Sequence, residues 1–147
     1  VIALLQRVRH ARVEVGGALI GAIDQGLLVL VCAEPSDTEA QAEKLIDKVL
    51  KLRIFGDAAG KMNLSLQDTG GGLLIVSQFT LAADCSAGNR PGFSGAAGAE
   101  QGRRLYEHVL RYAGSRHSGA LASGEFGADM QVSLTNDGPV TIPLRIN

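Results

Sequence analysis

The sequence predicts an α+β fold: a single domain over residues 1–147 in which a mostly antiparallel, curved sheet or barrel is covered by two helices. Three observations carry this. Short aliphatic runs, some alternating with polar residues, stand near both ends and in the middle of the chain. A glycine pair separates two of the first runs, and two longer stretches repeat apolar residues at spacings of three and four. A chain of 147 residues buries roughly two-thirds of its unfolded surface in one core without disulfide staples.

Taken in order, Ile2 to Val8 reads as a first strand. Arg12 to Val15 and Ala18 to Ile20 flank Gly16-Gly17, which supplies the positive φ values of a tight hairpin turn. Gly26 to Ala33 has no polar side chain, as suits a strand buried on both faces. Pro35 to Glu39 opens a helix, with Ser36 and Glu39 at capping-box spacing. Ala42, Leu45, Ile46, Val49 and Leu50 form its apolar stripe, and its end falls near Leu52. Arg53 to Met62 has a turn-like centre and predicts a second hairpin. Gly70-Gly71-Gly72 then precedes a buried strand from Leu73 to Gln78. Ala83 to Gly98 is a long loop rich in glycine, alanine and serine. Glu100 to Ser115 is the second helix: Leu105, Val109 and Tyr112 make one stripe, Tyr106, Leu110 and Ala113 lie beside it, and Arg104, His108 and Arg111 take the opposite face. Two alternating strands, Met130 to Leu134 and Val140 to Ile146, close the chain on either side of a Gly138-Pro139 break. Pro143 confines the last strand to an edge or a bulge.

Composition narrows the function. Apolar residues make up 46% of the chain and charged residues 20%, as in soluble globular proteins. The longest apolar run, Leu27 to Ala33, is far short of the roughly 18 residues that span a bilayer, so no membrane role is expected. The opening residues read as a strand and not as a secretory leader, which points to the cytoplasm. Cys32 and Cys85 predict no structural disulfide, and three scattered histidines without paired cysteines predict no metal site. A net charge of −1 leaves contact with nucleic acid to local patches. Arg7, Arg9 and Arg12 form one such cluster and Arg103, Arg104, Arg111 and Arg116 another, each either a solvated face or a set of phosphate contacts.

Two segments put backbone chemistry where a core would want plain side chains. Ser77-Gln78-Phe79-Thr80 follows the strand from Leu73, so its N–H groups stand at a strand end, free to face a ligand. Ser77 or Thr80 as a nucleophile needs a base, and His10, His108 and His117 lie in a basic N-terminal segment and on a polar helix face. Either hydroxyl also serves to cap a strand end. Amides of Gln78, Phe79 and Thr80 that stabilise an oxyanion need no titrating partner. Gly138-Pro139 is a turn by itself, or a close approach of main chain to substrate when paired with the first segment. Phe126 and Met130 sandwich a nucleobase or simply fill the core.

Ser77-Gln78-Phe79-Thr80-Leu81, Asn89-Arg90-Pro91 with Phe93, Phe126-Gly127-Ala128-Asp129-Met130-Gln131-Val132, and Asn136-Asp137-Gly138-Pro139-Val140-Thr141 together resemble the D-aminoacyl-tRNA deacylase family. The likeness extends to Ile2 to Val8 and to Gly60-Lys61-Met62-Asn63. It implies a cytoplasmic homodimer that hydrolyses the ester of a D-amino acid, or of glycine mischarged on alanine tRNA, at the tRNA 3′ end, with no metal or organic cofactor. Ser77, Gln78, Phe79 and Thr80 would then wall the pocket, with the Phe79 amide near the ester carbonyl. Gly138 and Pro139 would be a Gly-cisPro element reaching into the partner subunit's pocket, and Phe126 and Met130 would flank the terminal adenine. Gly92 departs from the family's usual serine. The competing classes are a non-catalytic module that binds a tRNA end and a conventional serine or threonine esterase.

Overall fold

The computed structural model describes residues 1–147. Strand β1 (Ile2–Val15) is continuous and organises the sheet. Its first half pairs antiparallel with β3 (Gly26–Cys32) and its second half with β2 (Ala18–Ile23), while β8 (Gln131–Arg145) runs antiparallel along its other edge. The β1–β2 turn is the expected one, with φ of 55° at Gly16 and 82° at Gly17.

From β3 the sheet continues through β6 (Gly72–Ser77) to β7 (Leu121–Ser123), and these two pairings are parallel. Parallel neighbours require crossovers. Helix α1 (Glu39–Lys51) lies in the first crossover, with the β4 (Phe55–Gly56) and β5 (Met62–Leu64) hairpin and the short helix α2 (Leu66–Thr69). Helix α3 (Ala99–Arg116) lies in the second. The sheet curls until β2 meets β7. A Cβ on Gly21 would stand 2.4 Å from the Ser123 carbonyl oxygen, so only glycine lets the two strands approach and nearly close the barrel.

Strands β3 and β6 are buried on both faces because they alternate between two cores. Leu27, Val29, Leu73 and Ile75 pack against the stripes of α1 and α3. Leu28, Leu74 and Val76 point the other way, into the curve of the sheet with Val8, Val13 and Ile23. All five stripe residues expected on α1 are buried.

Several expectations are corrected. Helix α1 is capped by Thr38 and Gln41, not by Ser36 and Glu39. The Asp37 carboxylate accepts the Glu34 amide at 2.7 Å, which holds residues 34–37 in a turn and delays the helix start. The two closing strands are one strand, because β1 is long enough to pair on both sides of the Gly-Pro step; the mismatch is absorbed as register shifts opposite Gln6 to His10. Pro143 does lie on an edge, since β8 pairs with β1 alone. Strand β7 had no alternating signal. His108 does not face solvent: it sits between the two helices, 3.7 Å from Glu39 and 3.9 Å from Glu43.

Candidate active site

Strands β3, β6 and β7 point their carboxyl ends the same way, where sheets with parallel strands and crossover helices commonly form ligand crevices. A cavity of about 670 Å³ opens there, between the ends of β3 and β6, the first turns of α3 and the segment after β7. Its lining is mainly apolar and includes Ser77, Gln78, Phe79, Phe126 and Met130, so five residues singled out in the sequence converge on one site.

Ser77 ends β6, and a 3₁₀ turn over Phe79–Ala82 follows at once. The Gln78 amide is not free: it donates to the Val31 carbonyl of β3 at 2.8 Å, because the strand pairing extends one residue past Ser77. The amides of Phe79 and Thr80 open the turn, where helical segments leave their first N–H groups without a preceding carbonyl. Thr80 lies outside the cavity and is exposed; its hydroxyl accepts from the Gln78 side chain. No histidine lines the cavity. His10 meets Thr135, His117 contacts the Gly71 carbonyl, and His108 is between the helices, so Ser77 has no imidazole base. No cluster of three metal-ligating side chains occurs.

Phe126 and Met130 are brought together by the turn that leads into β8. The Met130 sulfur accepts the Glu125 amide at 3.4 Å, and the Phe126 ring has Tyr106 at 5.9 Å and the Arg103 guanidinium at 4.8 Å from its centroid. Phe79 and Phe93 meet edge to face at 5.1 Å on the cavity's exposed side. Two lining residues were missed as site components. Tyr106 read only as a flank of the helix stripe, although its hydroxyl donates to the Ile75 carbonyl at 2.8 Å and burial pushes its pKa up to about 12. Cys32 read as a small core residue. Its thiol reaches the Phe79 carbonyl at 3.5 Å, and burial, followed by the nearby Glu34 charge, raises its pKa.

Gly138 and Pro139 lie elsewhere. They are exposed on β8, do not line the cavity of their own chain, and are joined by a cis peptide. Arg7 braces them: its Nε donates to the Asp137 carbonyl at 2.8 Å and its Nη1 to the Ile54 carbonyl at 2.7 Å. Asn136 spans the loop from the other side, accepting the Val140 amide and donating to the Thr141 hydroxyl, both at 2.8 Å. Arg7 is thus a bracing residue and not a free phosphate contact. Gly92 bridges Asp84 through two backbone hydrogen bonds, and a Cβ there would meet nothing closer than 4.0 Å. A serine would fit, so packing does not dictate the glycine.

These features define an α+β domain with one apolar cleft whose polar groups are mostly main-chain. The family model for D-Tyr-tRNA(Tyr) deacylase matches residues 4–145. A protein named D-aminoacyl-tRNA deacylase from Methylibium petroleiphilum is 72% identical over 99% of this chain and 95% of its own length, and one of the same name from Azoarcus sp. is 65% identical over the same shares. Among solved structures, the c-Myc DNA unwinding element binding protein superposes with a TM-score of 0.93 at 40% identity, covering 100% of this chain and 99% of that one. A probable eukaryotic D-amino acid tRNA deacylase shares the fold, with a TM-score of 0.83 at 17% identity over 97% of both chains. The chain belongs to the D-Tyr-tRNA(Tyr) deacylase family, a family of hydrolases.

Proposed function

We propose that this protein hydrolyses the ester between a D-amino acid and the 3′-terminal adenosine of tRNA, releasing free amino acid and tRNA, and acts likewise on glycine carried by alanine tRNA. The observation that carries this reading is the convergence of Ser77, Gln78 and Phe79 with Phe126 and Met130 around one cavity that holds no histidine base. An aromatic ring and a thioether suit the adenine. The Phe79 amide, at the start of its turn, suits the oxyanion that forms as water adds to the ester carbonyl. The neighbouring ribose hydroxyl of the substrate assists that attack, so the enzyme positions and polarises while no side chain serves as nucleophile.

Handedness is read by main-chain oxygens. In this reading the protein is a homodimer, and Gly138-Pro139 of one subunit enters the partner's cavity, where its carbonyls hold the substrate amino group and crowd an L side chain. The placement of Gly138 and Pro139 away from their own cavity, on an exposed and braced loop, supports such an exchange. A D side chain points outward and glycine has none, so both are accepted. No metal or organic cofactor takes part, and the reaction belongs to the cytoplasm, where charged tRNA is used.

The deciding experiment incubates purified protein with D-Tyr-tRNA and L-Tyr-tRNA and measures free tyrosine. Release from the D form alone is expected. Binding without release would leave a tRNA-end-binding module, and equal release from both would remove the chiral reading.

A further inference from the structure

We infer that Tyr106 is a positioning residue for the ester-cleaving site, tying the wall built by Ser77 to Phe79 to the platform built by Phe126. The inference rests on the proposed reaction and adds to it a residue outside the motifs that suggested it. Tyr106 is 5% exposed and reaches β6 from α3. Its hydroxyl donates to the Ile75 carbonyl at 2.8 Å, and that carbonyl also accepts the Gly124 amide at 3.1 Å. Ile75 stands two residues before Ser77, and Gly124 two before Phe126. The hydroxyl therefore lies where the two halves of the site diverge from their last shared hydrogen bond.

The ring does a second job. It lies 5.9 Å from the Phe126 ring at an interplanar angle of 40°, and one turn earlier a Cβ on Gly102 would already be in ordinary contact with that Phe126 ring, 3.5 Å from its Cζ. Arg103 covers Phe126 from the next position along the helix. Two side chains of α3, Arg103 and Tyr106, thus hold the platform, and Tyr106 also holds β6. A phenylalanine would fill the core as well. The Ile75 carbonyl already has the Gly124 amide, so the hydroxyl is not needed to satisfy it. What the hydroxyl adds is a fixed distance between the two halves of the cavity.

The test measures kcat and KM on D-Tyr-tRNA, with thermal unfolding, for Tyr106→Phe, Tyr106→Leu and Gly102→Val. Tyr106→Phe keeps the ring and frees β6: kcat falls about three- to tenfold at little-changed KM, and the protein stays folded at the assay temperature. Tyr106→Leu also frees Phe126, so KM rises about tenfold as well. Gly102→Val pushes Phe126 without touching the hydroxyl, so it raises KM more than it lowers kcat and keeps the inference testable should Tyr106→Leu fail to fold. Native kcat and KM for Tyr106→Phe would overturn the inference. So would changes in all variants that merely track the folded fraction. If the native protein itself frees no tyrosine from D-Tyr-tRNA, the proposed function falls first, and that result is distinct from any pattern among the variants.

Discussion

Arg7 Nε donates to the carbonyl oxygen of Asp137 at 2.8 Å, from a side chain that is only 16% exposed, and so joins the middle of β1 to the residue before Gly138. The same guanidinium holds the Ile54 carbonyl, which anchors the loop to the segment after α1. The sheet hydrogen bonds between β1 and β8 lapse in this region, where the register shifts. A side chain stands in for the missing ladder.

Arg7→Met should therefore cost about 2 kcal/mol of stability, since two partly buried carbonyls lose a charged donor. Urea unfolding measures the loss. In the same variant the ratio of D-Tyr-tRNA to L-Tyr-tRNA turnover should fall, because the loop is no longer held.

Gly138 has φ of +154°, and a Cβ there would stand 2.6 Å from the Val140 nitrogen and 2.7 Å from its Cγ2. Gly138→Ala should destabilise the protein by more than about 1 kcal/mol and reduce D-ester turnover. Pro139→Ala should lose D-ester turnover or admit L-esters; unchanged rate and selectivity would remove the role assigned to this loop.

Thr80 is exposed and outside the cavity. Thr80→Ala should change stability by about 0.5 kcal/mol or less, with turnover preserved within a factor of about two. A fall to the rate of uncatalysed hydrolysis would make Thr80 the nucleophile.

Thr38 accepts the Ala40 amide at 3.3 Å and forms the reciprocal cap with Gln41. Thr38→Ala should cost about 1 kcal/mol in urea unfolding and leave turnover unchanged, since the cap is on the first helix and not in the cavity.

Burial raises the pKa of Tyr106 from 10.0 to about 12 and that of Cys32 above 9.0. For both groups the fold favours the protonated, neutral form, so their contribution is whole below the unfolded pKa and is lost as pH rises through the folded one. The urea midpoint should decline above pH 9 to 10 as these groups lose protons more readily in the unfolded chain, and Tyr106→Phe should flatten the upper part of the decline. A thiol reagent at pH 8 should modify exposed Cys85 at once and buried Cys32 only slowly. Equal labelling of the two would contradict the packing of Cys32.

Local patterns decided the elements. The stripe from Ala42 to Leu50, the aliphatic run after Gly26 and the Gly16-Gly17 turn each report their own burial or backbone geometry, because periodicity and positive φ are properties of short segments. The four motifs likewise mark Ser77 to Thr80, Phe126, Met130 and Gly138-Pro139 within short stretches of chain. Other features depend on which segments meet in space. The Gln78 amide is consumed because β3 runs one residue past β6, Thr80 turns outward because the 3₁₀ turn starts at Phe79, and Tyr106 becomes part of the site because α3 crosses behind β6 and β7. Hydrogen bonds between residues tens of positions apart leave no periodic trace in the chain. Thus the sequence by itself named the segments that meet at the cavity and the Gly138-Pro139 loop outside it, and only the tertiary structure decided which of their groups face the cavity and which are already spent on holding it together.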